Sequence, residues 1–157
     1  MKPFVELECN NITIISQEIY NFLKEKTDII ETAKPGWHFI NCADLLLQSP
    51  ELLNWFKQMK LIPRHSAVTI VIDNNSLPAH IDELPVIVKI NMPVINTKGW
   101  ANRWYVNDTM VAELLDMSLP VAFNSQIFHS VEKTIATELP RIATSFTFHN
   151  EPLGLLK

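Results

Sequence analysis

Four residues, His80, Asp82, His129 and Arg141, have the types and the order needed to hold a metal ion and then an anion. In Pro78-Ala79-His80-Ile81-Asp82 an imidazole and a carboxylate stand two residues apart, and on an extended backbone that spacing turns both side chains to one face. A second imidazole follows 47 residues after Asp82, in Phe128-His129-Ser130-Val131. Two histidines and one carboxylate suit ferrous iron and leave coordination positions open for other ligands. Twelve residues past His129, Arg141 opens the run Arg141-Ile142-Ala143-Thr144-Ser145-Phe146-Thr147-Phe148. A guanidinium is planar and permanently charged, so Arg141 can grip a carboxylate through two parallel hydrogen bonds, which a lysine cannot do. The pattern predicts an enzyme.

The elements that must position these residues divide the chain near residue 64. Before it, Asn11 is a capping residue for a helix from Ile12 to Lys24, because Ile15, Ile19, Phe22 and Leu23 recur at helical spacing. Ser49-Pro50-Glu51 predicts a second helix carrying Leu52, Leu53, Trp55, Phe56 and Met59. Trp37-His38-Phe39-Ile40 is a short extended candidate between the two. Beyond residue 64, runs at 67–72, 86–95, 102–106, 121–123, 127–131 and 142–148 are short and separated by Asn, Asp and Pro. Strands at such spacing predict a sandwich or barrel rather than a parallel α/β sheet. One helical interruption is expected around Met110 to Met117, and a loop over the barrel mouth at Asn96 to Trp100.

Composition narrows the class. With 157 residues the chain suits one domain, and 47% hydrophobic with 19% charged residues is ordinary globular usage. A net charge of -4 argues against nucleic-acid binding. No apolar run is long enough to cross a bilayer, and Glu6 and Glu8 interrupt the stretch a signal peptide would need, so a cytoplasmic protein with no membrane association is expected. Cys9 and Cys42 have no CxxC partner and read as buried, reduced thiols. Three glycines form no GxGxxG or Walker loop. His38, His65 and His149 lack comparable partners and read as structural or surface residues.

From about residue 64 to 148 the sequence resembles the Fe(II)- and 2-oxoglutarate-dependent dioxygenase superfamily, whose signature is HxD, a distant His, and an Arg or Lys opening a late strand. Beyond the signature, three phrases carry the resemblance. They are Lys89-Ile90-Asn91-Met92-Pro93-Val94, Asn102-Arg103-Trp104-Tyr105, and Phe128-His129-Ser130-Val131 with the Arg141 strand. They look like the short bacterial and phage-type members, related to the aspartyl/asparaginyl hydroxylase branch. The resemblance implies a mainly β (α+β) fold, a double-stranded β-helix of jelly-roll or cupin-like type, with N-terminal helices packed on one face. It would form a single domain over 1–157, with a helical and mixed support region at 1–63, the core at 64–148 and a tail at 149–157.

The same resemblance implies that His80, Asp82 and His129 bind Fe(II) and that Arg141 pairs with the distal carboxylate of 2-oxoglutarate. Asn91, eleven residues after His80, falls where the hydroxylase branch places a cosubstrate contact, and Lys89 shares its strand parity. Tyr105 is taken as a cosubstrate-binding residue, although parity lets only one of Trp104 and Tyr105 face inward. Ala143 stands where some relatives carry a serine. The implied reaction consumes O2 and 2-oxoglutarate, releases succinate and CO2, and hydroxylates a small molecule or an amino-acid or peptide side chain. Two other readings use the same residues. A cupin-type metalloenzyme without 2-oxoglutarate would make Arg141 a substrate clamp, and a non-catalytic jelly-roll module would leave Arg141 in a surface ion pair with Glu132 or Glu138.

Overall fold

In a computed structural model the described residues are 2–26, 30 and 34–157. The elements run β1 (Phe4–Glu6), α1 (Ile12–Glu25), β2 (Trp37–Asn41), α2 (Pro50–Gln58), β3 (His65–Val71), β4 (Leu77–His80), β5 (Val88–Ile95), β6 (Trp100–Val106), β7 (Thr109–Leu115), β8 (Val121–Asn124), β9 (Phe128–Lys133) and β10 (Arg141–Phe148), with a short 3₁₀ turn at Pro152–Gly154. Six strands form one sheet in the order β1-β8-β5-β10-β3-β2, and four form another in the order β4-β9-β6-β7. Every paired ladder is antiparallel. The described residues are thus mostly β with two α-helices, and no described helix is long and apolar enough to cross a membrane.

Strand alternation gives the large sheet two chemically different faces. On β10, Ile142, Phe146 and Phe148 join the core that covers Ile15, Ile19, Phe22 and Leu23 of α1 and Leu52, Trp55 and Phe56 of α2. Phe56 meets Phe146 edge-on, with ring centroids 4.8 Å apart. The alternate residues Arg141, Ala143, Ser145 and Thr147 face a cavity between the sheets. Both helices therefore pack on one outer face and leave the inner face free for polar chemistry. Cys9 and Cys42 are free thiols in that same core, and burial pushes both upward from the usual thiol pKa.

The helix starts are capped differently from expectation. Neither Asn11 nor Ser49 makes a side-chain cap. The Asn11 amide donates to Glu51 Oε2 at 3.0 Å, while the Glu18 carboxylate of α1 accepts the backbone N–H groups of Glu51 (3.1 Å) and Leu52 (3.0 Å). An acid reached from a neighbouring helix thus satisfies the orphan donors and complements the dipole of α2. Glu18→Ala should lower the unfolding free energy by about 1 to 2 kcal/mol, the usual worth of a helix cap, in chemical denaturation.

Two expectations fail here for physical reasons. The helix expected around Met110 to Met117 is strand β7, paired with β6 from Val106↔Thr109 to Ala101↔Leu115. Met, Ala, Glu and Leu favour helix, but cross-strand pairing overrides so weak a preference. The missed signal is Asn107-Asp108, whose φ values of 49° and 59° make the two-residue hairpin turn that Asn and Asp tolerate. Trp100 is no loop residue over the mouth. It opens β6, is fully buried, and packs with Val71 and Val131.

Candidate metal and anion site

The two histidines meet because β4 and β9 pair with His80 directly opposite His129. Their rings lie 4.5 Å apart. Each Nδ1–H donates to the carbonyl two residues earlier, His80 to Pro78 and His129 to Ile127, both at 2.8 Å. A carbonyl only accepts, so both Nδ1 atoms carry the proton and both Nε2 atoms keep their lone pair. That backbone bond is the partner a metal-ligating histidine ordinarily has. Asp82 closes the group, with Oδ1 3.9 Å from His80 Nε2 and Oδ2 3.8 Å from His129 Nε2. One ligand atom from each of the three residues lies within 4.8 Å of the other two.

Asp82 follows β4 in a loop held by the turn between β8 and β9. Its N–H donates to the Ser125 carbonyl (3.0 Å), and the Gln126 amide donates to the carbonyls of Asp82 (3.0 Å) and Val86 (2.8 Å). Lys89 Nζ donates to Asp82 Oδ1 at 2.7 Å, which leaves Oδ2 buried and without a hydrogen-bond partner. An orphan carboxylate oxygen beside two bare imidazole nitrogens fits a divalent cation, because each unmet acceptor would otherwise carry a desolvation cost.

Burial sets the protonation of His129. His129 is buried, and desolvation pushes its pKa below the ordinary 6.5, against the opposing effect of the Ile127 carbonyl. The unfolded chain therefore takes up this proton first as pH falls. The stability His129 contributes is complete above about pH 6.5 and declines below it, until the folded form also protonates. Metal-free protein should show a falling urea midpoint in that window, and His129→Gln should flatten the slope.

Arg141 lies across the same cavity. It is 2% exposed, no hydrogen bond or ion pair from a described residue reaches it, and its Nε is an unmatched donor. Desolvation pushes its pKa down to about 10, so it is still charged at neutral pH. The surface ion pair with Glu132 or Glu138 does not form, since Glu132 is taken by Arg103 and Tyr105. The cavity, about 120 Å³, runs between the guanidinium and the His80 and His129 rings. Asn91, Asn102, Trp104, Ser145 and Thr147 also line it, and each has a buried polar atom without a partner. Arg141 Nε, Asn102 Nδ2 and Trp104 Nε1 can only donate and suit an oxygen-rich anion, whereas Asn91 Oδ1 can only accept.

The structure thus gathers His80, His129, Asn91 and Arg141 around one space, adds Asp82 beside the two histidines, and leaves Tyr105 outside it. Trp104 takes the inward parity, opposite His129. Tyr105 turns to the other face, where its hydroxyl donates to Glu132 Oε1 at 3.2 Å. Lys89 reaches Asp82 rather than a free anion. Asn102 and Trp37 also line the cavity, and neither the inward-facing amide nor the distant indole has a spacing that marks it as a site residue in the sequence.

Comparison with solved structures defines the fold. The chain superposes on a prolyl hydroxylase from Trichoplax adhaerens in complex with a hypoxia inducible factor oxygen degradation domain peptide fragment (TM-score 0.65, 12% identity, 95% of this chain and 84% of that one). It also superposes on HygX from Streptomyces hygroscopicus with nickel and 2-oxoglutarate bound (0.61, 11%, 93% and 82%), and on a Pseudomonas putida prolyl-4-hydroxylase (0.56, 10%, 96% and 95%). This chain has the fold of these two prolyl hydroxylases and of HygX. No protein-family model matches the chain, and no curated protein sequence matches it.

Proposed function

We propose that the protein is an Fe(II)- and 2-oxoglutarate-dependent oxygenase, an oxidoreductase on a double-stranded β-helix formed as one domain. One observation carries the reading: a buried guanidinium, without a hydrogen bond or ion pair from any described residue, and a two-histidine, one-carboxylate cluster face each other across a single small cavity. A structural module would have little reason to bury an unpaired cation. The eight-strand arrangement of β3 to β10 in two antiparallel sheets supports the fold assignment.

His80, Asp82 and His129 would hold the iron, and Arg141 would bind the far carboxylate of the cosubstrate, with Asn91 and Asn102 beside it. Bound together, iron, O2 and 2-oxoglutarate supply an oxidant for a C–H bond as succinate and CO2 form. The chain's own work is positioning. The Pro78 and Ile127 carbonyls fix the imidazole tautomers, Lys89 restrains Asp82, and Arg141 sets the cosubstrate's direction. Phe123, 5.1 Å from the His129 ring, and Trp104 exclude water from the inner side of the cluster.

The substrate is a small molecule or an amino-acid or peptide side chain, reached through the cavity mouth beside the exposed Phe39. The test is aerobic incubation with Fe(II), 2-oxoglutarate and a panel of amino acids, peptides and small metabolites, with succinate as the readout. Succinate should form in the wild type and not in His129→Ala. Equal, background-level succinate in both would refute the proposal.

A further inference from the structure

No described residue gives Arg141 an ion pair, and two indoles lie beside its guanidinium. Trp37 and Arg141 are each in register with Val71, so the three form one row across β2, β3 and β10. The guanidinium carbon lies 5.7 Å from the Trp37 ring centroid and 5.6 Å from that of Trp100, which reaches it from the opposite sheet. The two indoles stand at 87° to each other, with centroids 6.0 Å apart. Trp37 is itself tied down, because its Nε1–H donates to the Asn75 carbonyl at 2.8 Å.

We propose that Trp37 is a positioning residue that fixes the depth of the Arg141 guanidinium and thereby sets the length of 2-oxo dicarboxylic acid the site accepts. This rests on the oxygenase reading of the same site. An arginine without a partner has a long flexible stem and no reason to keep one rotamer. Two indoles at right angles, each presenting a ring to the guanidinium, restrict that freedom by cation–π attraction. A carboxylate gripped by a guanidinium held at one depth must then lie at one distance from the His80, Asp82 and His129 cluster, so an acid of one chain length spans both ends. Trp100 is fully buried and serves the fold as well. Trp37 is only partly buried and lies on the edge strand of its sheet, so it can be changed with less disturbance.

The test uses full-length protein saturated with Mn(II), and calorimetric affinities for 2-oxoglutarate and for 2-oxoadipate, which is one methylene longer. Wild type and Trp37→Phe should prefer 2-oxoglutarate. Trp37→Leu should bind it about tenfold more weakly, the worth of one partly desolvated cation–π contact, and its preference over 2-oxoadipate should shrink by a similar factor. Mn(II) affinity should stay at the wild-type value. Trp37→Met, which is flexible and lacks a ring face, is read in the same way should the leucine variant fail to fold. Wild-type affinity and preference in the ring-deleted variants would overturn the inference, as would an equal fall in Mn(II) affinity, which signals general loosening. If wild type itself does not bind 2-oxoglutarate with Mn(II) present, the oxygenase reading falls first.

Discussion

Replacing His129 with alanine should lower divalent-metal affinity by more than about 100-fold, beyond the 10- to 100-fold that outer partners of a ligand are worth. Three features make this the most sensitive position. His129 is 7% exposed, its Nδ1 is already committed to the Ile127 carbonyl, and its Nε2 lies 3.8 Å from the orphan Asp82 Oδ2. Removing it leaves a void between Phe123 and His80 that a water can only partly fill, so the remaining two ligands cannot keep the cation against solvent. Mn(II) titration followed by electron paramagnetic resonance reads the loss directly. Retention of wild-type affinity would show that the ion sits elsewhere.

Arg141→Met should produce opposite effects on binding and on stability. Losing a bidentate charged partner for a buried carboxylate should weaken 2-oxoglutarate binding by about 2 to 4 kcal/mol, roughly 30- to 1000-fold. The ligand-free protein should instead become more stable, by about 1 to 2 kcal/mol, because an uncompensated buried charge is exchanged for an apolar side chain of similar length. The depressed pKa of Arg141, about 10, comes from desolvation alone and has the same origin as that gain. Denaturation with and without Mn(II) and 2-oxoglutarate separates the two effects. A variant that loses stability in the ligand-free form would mean that the guanidinium serves the fold rather than an anion.

The parts of the site legible in sequence are those set by short spacing and residue chemistry. His80 and Asp82 sit two apart, His129 lies in a β-rich phrase, and Arg141 opens a strand whose alternation sends Ile142, Phe146 and Phe148 to the core and the intervening residues to the cavity. The unreadable parts depend on register and tertiary packing. The choice between Trp104 and Tyr105 follows from the pairing of β6 with β9, which puts Trp104 opposite His129. Trp37 lies 104 residues before the arginine it covers, with no sequence signal joining them. Lys89 alternates with Asn91 as expected, yet its ammonium goes to Asp82, because a flexible stem finds the nearest carboxylate. The strand at Thr109–Leu115 was hidden because helix formers fill a position that pairing with β6 makes extended.

The most direct test of the central claim is anaerobic calorimetry of Fe(II) and 2-oxoglutarate binding to the wild-type protein. If one cavity joins the His80, Asp82 and His129 cluster to Arg141, each chain should take up one Fe(II), and 2-oxoglutarate should bind tightly only after the metal is present. Binding of 2-oxoglutarate that is equally strong without metal, or no saturable binding with it, would contradict the account.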